Sequence, residues 1–264
     1  MTWLRRNLLL LASLGVLVYM LIPNVVVAVF SFNDPKGRYN YTWESFTTDA
    51  WMNPCGAQGI CDSLGLSLRI GLIASLTATV LGTMIAFALG RYRFRARSTT
   101  NLLIFMPMAT PEVVMGSSLL TLFLMMGIPA GSLAVTIAHI MFCISFVVVA
   151  VKARVATLDP RLEEAAADLG ANPGQTFLRV TLPLAFPGIL AGGLLAFSLS
   201  FDDYIITNFN ASPSSITFPM YVWGAAQRGA PVQVNVIGTL MFLIALAVVV
   251  TGQVLASRRE RARA

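Results

Sequence analysis

Three acidic residues stand in surroundings that are otherwise apolar. Asp202 and Asp203 interrupt the run Leu199-Ser200-Phe201-Asp202-Asp203-Tyr204, and Glu112 follows Pro111 in a second apolar stretch. Carboxylates in such surroundings are costly unless they face water, a partner or a cation. With Tyr204 they form a candidate path for a positively charged solute, since no basic residues accompany them in the sequence. Adjacent residues on a helix point about 100° apart, so Asp202 and Asp203 are expected to differ in role, one facing the path and the other pairing or capping. If the helix ends early, both lie in outer water instead. The single histidine, His139, sits in Ala138-His139-Ile140-Met141-Phe142-Cys143. A hydrogen bond to a neighbouring helix accounts for one neutral imidazole, and no cluster with metal-ligand spacing surrounds it. Cys143 reads as a packing residue.

A second constellation runs from Leu158 to Pro173. Asp159-Pro160 is a helix start, because Asp can accept from free N–H groups and Pro fits the first helical position. Glu163 and Glu164 then lie near the N-terminal end, where the helix dipole favours acids, and Ala165, Ala166 and Ala167 leave a narrow surface. Gly170 is the stop. Asn172-Pro173 repeats the start signal, giving a second short helix expected to end before Leu182-Pro183. Two such helices make a compact knob, which is either a well-capped connector or a rigid piece that fits a socket and transmits force.

The elements that must position these residues follow from composition. Of 264 residues, 56% are hydrophobic and 11% charged, and the mean hydropathy is +0.75. A soluble domain carries about 25% charged residues, so most of this surface faces lipid. Six stretches reach the roughly 20 apolar residues a bilayer requires: about Leu8 to Phe32, Leu66 to Leu89, Leu102 to Met125, Leu133 to Val151, Leu184 to Thr207 and Val234 to Leu255. The fold class is therefore an all-α membrane protein with six transmembrane helices. It divides into an N-terminal helix and outer loop (1–63), a transmembrane core (64–256) and a basic tail (257–264).

Orientation follows from Lys and Arg, which stay on the cytoplasmic side. Arg5 and Arg6 precede span one; Arg91, Arg93, Arg95 and Arg97 lie between spans two and three; Lys152, Arg154, Arg161 and Arg179 lie between four and five; Arg258, Arg259, Arg261 and Arg263 form the tail. The other loops hold only Lys36, Arg38 and Arg228, while Arg69 opens span two. Both termini are thus expected in the cytoplasm. This arrangement accounts for the net charge of +6 without a basic nucleic-acid-binding face. The first apolar run is too long for a signal-peptide core, and Ser31-Phe32-Asn33 lacks a small-x-small cleavage pattern, so span one is expected to remain as an anchor.

The segment from Asn33 to Ser63 is too polar to span and too aromatic for a plain linker. It reads either as a cap that meets an extracytoplasmic partner or as an interfacial segment with Trp and Tyr at headgroup level. Cys55 and Cys61 lie there, where oxidation is permitted, and a disulfide between them is plausible on compartment grounds.

Glu164-Ala165-Ala166, three residues, Gly170, nine residues, then Val180-x-Leu182-Pro183 resembles the EAA motif of permease subunits of binding-protein-dependent type I ABC importers. Val180 in place of Ile is the one departure. The resemblance covers about Leu64 to Leu255, a five-span core preceded by one additional helix. It implies that Glu163, Glu164, Ala165, Ala166, Asp168 and Gly170 belong to a coupling helix that docks in a cleft of an ATP-binding subunit. The runs Ser198 to Asp203 and Ala138 to Cys143 further resemble the PotC-type permeases of spermidine/putrescine importers, with Glu112 where Asp is usual. That implies a polyamine substrate, a second related permease, a dimer of ATP-binding subunits and an extracytoplasmic solute-binding protein.

The chain's two lysines, Lys36 and Lys152, do not lie in a phosphate-cradling G-x-x-x-x-G-K-[ST] loop, so ATP and Mg are expected on the partner ATPase and no cofactor on this chain. The expected function is permease action by alternating access in a bacterial inner membrane. A permease for another solute, such as a sugar, an amino acid or another cation, uses the same EAA element. A membrane-embedded enzyme is the remaining reading, and no close nucleophile–base pair or cofactor fingerprint supports it.

Overall fold

The computed structural model describes residues 2–261, with side chains from 7 to 254; the basic side chains of Arg5, Arg6 and Arg258 onward lie outside that range. Every named element of the described residues is a helix, and their one β contact is an isolated bridge between Asn33 and Phe46. In order the helices are α1 (Thr2–Phe30), α2 (Asp49–Met52), α3 (Ile60–Arg91), α4 (Arg97–Ala109), α5 (Glu112–Met125), α6 (Ser132–Ala156), α7 (Arg161–Asp168), α8 (Pro173–Thr176), a π segment (Phe177–Thr181), α9 (Leu182–Asp202), α10 (Ile205–Asn210), α11 (Phe218–Arg228) and α12 (Val232–Arg261).

Among the described residues, five stretches are long and apolar enough to cross a membrane: within α1, α3, α6, the run from Pro173 to Asp202, and α12. The sixth expected span is not straight. Its two halves, α4 and α5, meet at 109°. Pro111 disfavours the helical conformation for the residue before it, and Thr110 is extended with ψ 131°. A continuous apolar run therefore hid a break.

Span five needs two corrections. Its N-terminal neighbour does not stop before Pro183, since α8 continues through the wider turn of the π segment directly into α9. At the other end α9 stops at Asp202 rather than reaching Thr207. Asp203 is extended, with ψ 125°, and a separate helix, α10, begins at Ile205.

Two compact units account for the packing: Met1–Cys61 with Val222–Ala264, and Asp62–Tyr221. In the first, α1 packs against α12, and α12 also meets α2. Apolar side chains stay exposed along the length of α1, as a lipid-facing helix requires (Leu9 83%, Met20 68%, Val25 58%). The segment after α1 is ordered by Asn33, whose Nδ2 donates to Asn40 Oδ1 and the Thr42 carbonyl while its Oδ1 accepts from Glu44 N–H. Phe32 stacks between Phe46 and Trp51, and Cys55 is joined to Cys61.

In the second unit α6 is the central helix, contacting α9, α4, α10 and α5. Ala78, Ala86, Ala138, Val147, Val151, Ala185 and Ala196 are fully buried there. Small side chains let helix backbones approach closely, which matters where lipid competes equally for apolar surface. Gly116 of α5 is the tightest such point near the site: a Cβ there would meet Phe209 of α10 at 2.8 Å.

Candidate functional site

The break after Asp202 turns the two acids to different fates. Asp202 remains exposed. Asp203 folds inward, its side chain only 5% exposed, and caps α10: Oδ2 accepts from Thr207 N–H at 2.7 Å and Oδ1 from Ile206 N–H at 3.3 Å. Thr207 Oγ1 also donates to Oδ2, at 2.8 Å. A helix that starts inside apolar surroundings must satisfy its first N–H groups locally, and Asp203 does so.

His139, on α6, completes the cluster. Its Nδ1 lies 2.7 Å from Ser200 Oγ, and Nε2 lies 3.0 Å from Thr207 Oγ1 and 3.3 Å from Asp203 Oδ2. With the Thr207 hydroxyl donating to Asp203, the Nε2 side of the ring is the donor, and in the neutral imidazole Nδ1 then accepts from Ser200 Oγ. Ser200, Thr207 and His139 are each buried. The expectation that the span-five acids lack a basic partner is therefore corrected: Asp203 has His139. Cys143, one turn further along α6, donates to the Ala196 carbonyl and sits in the apolar core.

Elsewhere in this unit Glu112 opens α5 and is exposed, while Tyr204 precedes α10 and is half-buried. Asn210 ties α10 to α5 by donating to the Gly116 carbonyl. Sequence reasoning missed Ser200 and Thr207. The i to i+4 spacing of Asp203 and Thr207 was a usable signal, but only once a helix start at Ile205 was known.

The second constellation lies beyond the other end of α6. Ala156, the last residue of α6, is 17 residues past His139, or about 25 Å along the axis at about 1.5 Å per residue. After it, Asp159 Oδ1 accepts from Arg161 N–H at the start of α7. Gly170 closes the helix at φ +84°, with its N–H on the Ala167 carbonyl and Ala171 N–H on the Ala166 carbonyl. These two bonds are a Schellman cap, which places Gly where a Cβ would be strained. Asn172 and Gln175 then form a reciprocal capping box at α8.

No residue of α7 is buried. Glu164, Ala165, Asp168 and Gly170 are exposed, whereas Glu163 and Ala166 are half-buried. Glu163 turns back into its own unit. Its Oε1 accepts from Arg91 Nη2 and from Thr181 Oγ1, each at 2.9 Å. Arg91 and Thr181 are partners that no local spacing in the sequence could reveal. Beside them is a cavity of about 350 Å³ lined by Phe87, Arg91, Tyr92, Glu163, Phe177 and Thr181.

Comparison with known proteins gives one consistent family. A family model described as "Binding-protein-dependent transport system inner membrane component" matches residues 78–261. The chain is 34% identical over 247 residues to the spermidine/putrescine transport system permease protein PotC of Escherichia coli (strain K12), covering 94% of this chain and 93% of that one. It is 36% identical over 230 residues to the putrescine transport system permease protein PotI of the same strain, covering 84% and 81%. Among solved structures, a bacterial ABC transporter involved in the import of the acidic polysaccharide alginate matches with TM-score 0.66 at 17% identity, over 96% of each chain. At that identity the likeness speaks for the fold.

Proposed function

The chain belongs to the family of binding-protein-dependent transport system inner membrane components, and on that premise we propose that its cargo is a polyamine, spermidine or putrescine. As a permease subunit it provides the membrane path and leaves ATP hydrolysis, with Mg, to a dimer of ATP-binding subunits. A second related permease completes the path, and an extracytoplasmic binding protein delivers the solute. Both termini and α7 lie on the cytoplasmic side, following the arginine distribution.

End-to-end similarity to polyamine permeases is the observation that carries this reading. The site chemistry agrees with it. Polyamines are cations at neutral pH, and the exposed carboxylates Asp202 and Glu112 attract cations while water is stripped away. Asp203 serves differently, holding the α9–α10 break in place so that Asp202 keeps its exposure.

Alternating access then requires motion at α7 to reach a site about 25 Å further along α6. Glu164, Ala165, Asp168 and Gly170 form the face offered to the ATPase. The test is uptake of labelled spermidine and putrescine into proteoliposomes holding the whole transporter, with binding protein and ATP. Uptake competed by either polyamine and not by a sugar or neutral amino acid supports the reading; the reverse pattern removes the polyamine assignment.

A further inference from the structure

Helix α7 buries none of its residues, yet in the proposed mechanism it must move the spans. A helix that packs nothing into a core transmits displacement only through its chain ends and through side chains that reach inward. Among the described ion pairs and hydrogen bonds, Glu163 supplies the side-chain link from α7 to the transmembrane elements. One oxygen, Oε1, receives both Arg91 Nη2 and Thr181 Oγ1 at 2.9 Å. Arg91 is the last residue of α3, and Thr181 is the last residue of the π segment, immediately before α9. Thus α7, α3 and the π segment that leads into α9 meet at a single carboxylate.

A cavity of about 350 Å³ lies between Phe87 and Arg91 of α3 and Glu163 and Ala167 of α7, so the Arg91–Glu163 pair reaches across its edge while α7 otherwise packs on the π segment and α8. The pair is partly screened, with Arg91 and Glu163 side chains 21% and 32% exposed, and is therefore not a major source of stability. Its geometry suits positioning instead: a guanidinium and a hydroxyl converging on one oxygen fix the roll of α7 about its axis. Glu164, the next residue, points to solvent. Adjacent glutamates on a helix face about 100° apart, and here they divide into an inward and an outward one.

We propose that Glu163 is a positioning residue, a strut through which movement of α7 is passed to α3 by Arg91 and to α9 by Thr181, while docking on the ATPase is left to the outward face carrying Glu164. This rests on the importer reading, but not on the identity of the cargo.

The experiment uses the assembled transporter with its ATPase and binding protein, and measures solute moved per ATP hydrolysed alongside copurification of the ATPase subunit. The cargo is whichever solute drives the wild-type complex, so a wrong polyamine assignment leaves the measurement intact. Glu163→Gln and Arg91→Gln should each keep the ATPase subunit bound yet lower solute moved per ATP by about fivefold. The reciprocal exchange, Arg91→Glu with Glu163→Arg, should recover at least about half of the loss, because the charges again face each other. If the exchanged pair does not assemble, Thr181→Val combined with Glu163→Gln decides: the two effects should be less than additive, since they remove the same junction. Loss of the ATPase subunit from the single variants would make Glu163 a docking residue and overturn the proposal. An unchanged ratio in the single variants, an assembled exchange no better than they are, or additive effects would overturn it as well.

Discussion

His139 Nε2 lies 3.3 Å from Asp203 Oδ2, and both side chains are withdrawn from solvent, at 2% and 5% exposure. The pair joins α6 to the junction of α9 and α10. It marks the division of the two adjacent acids of span five into a buried one that holds structure, Asp203, and an exposed one, Asp202.

That separation predicts different phenotypes. His139→Ala leaves Asp203 with one partner fewer in a buried setting and should destabilise the protein by about 1–3 kcal/mol. Asp203→Asn should also destabilise, and the double variant should cost less than the sum because the two act on one network. Asp202→Asn should change stability by less than about 0.5 kcal/mol while reducing cation uptake. Thermal unfolding in detergent together with uptake checks this; equal stability loss from both Asp variants would refute the division.

The pattern that first marked these acids was their presence in an apolar run, and that was legible. Their division was not. It depends on the chain breaking at Asp203, and on His139 arriving from α6, 61 residues before Ser200. The bend at Thr110-Pro111 carried a local signal, since Pro disfavours helix at the residue before it, but hydropathy averaged over the whole run concealed it. By contrast the caps of α7 and α8 were legible because capping is local: Asp159, Gly170 and Asn172 act within a few residues of themselves. The π segment escaped because Pro183 reads as a stop when the preceding turn is taken to be α-helical.

At the outward face of α7, Glu164→Lys reverses a charge that the fold does not use. Binding of the ATPase subunit should weaken on the order of tenfold, while thermal stability of the isolated permease stays unchanged. Quantitative copurification reads the first and a melting curve the second. Undiminished binding would remove Glu164 from the docking face.

Gly170 tests the cap. A Cβ there meets nothing within 4 Å, so the effect of Gly170→Ala is conformational, about 1–2 kcal/mol for a φ of +84°. Amide exchange at residues 170 and 171 should rise on the order of tenfold, and Gly170→Asn should be milder because Asn tolerates this region. Identical protection in all three proteins would show that the Schellman bonds do not hold the end of α7.

The bond between Cys55 and Cys61 gives a chemical count. The chain has three cysteines, so alkylation of the denatured protein without reductant should label Cys143 alone, and reduction should raise the label to three thiols. Three labels before reduction, in protein prepared without reductant, would contradict the bond.

ATP hydrolysis by the reconstituted complex, stimulated by the solute-loaded binding protein, decides the polyamine assignment. Spermidine, putrescine, a sugar and a neutral amino acid are each supplied with the cognate binding protein. Stimulation is expected with spermidine or putrescine alone. Stimulation by the sugar or the amino acid, with none by either polyamine, would contradict it.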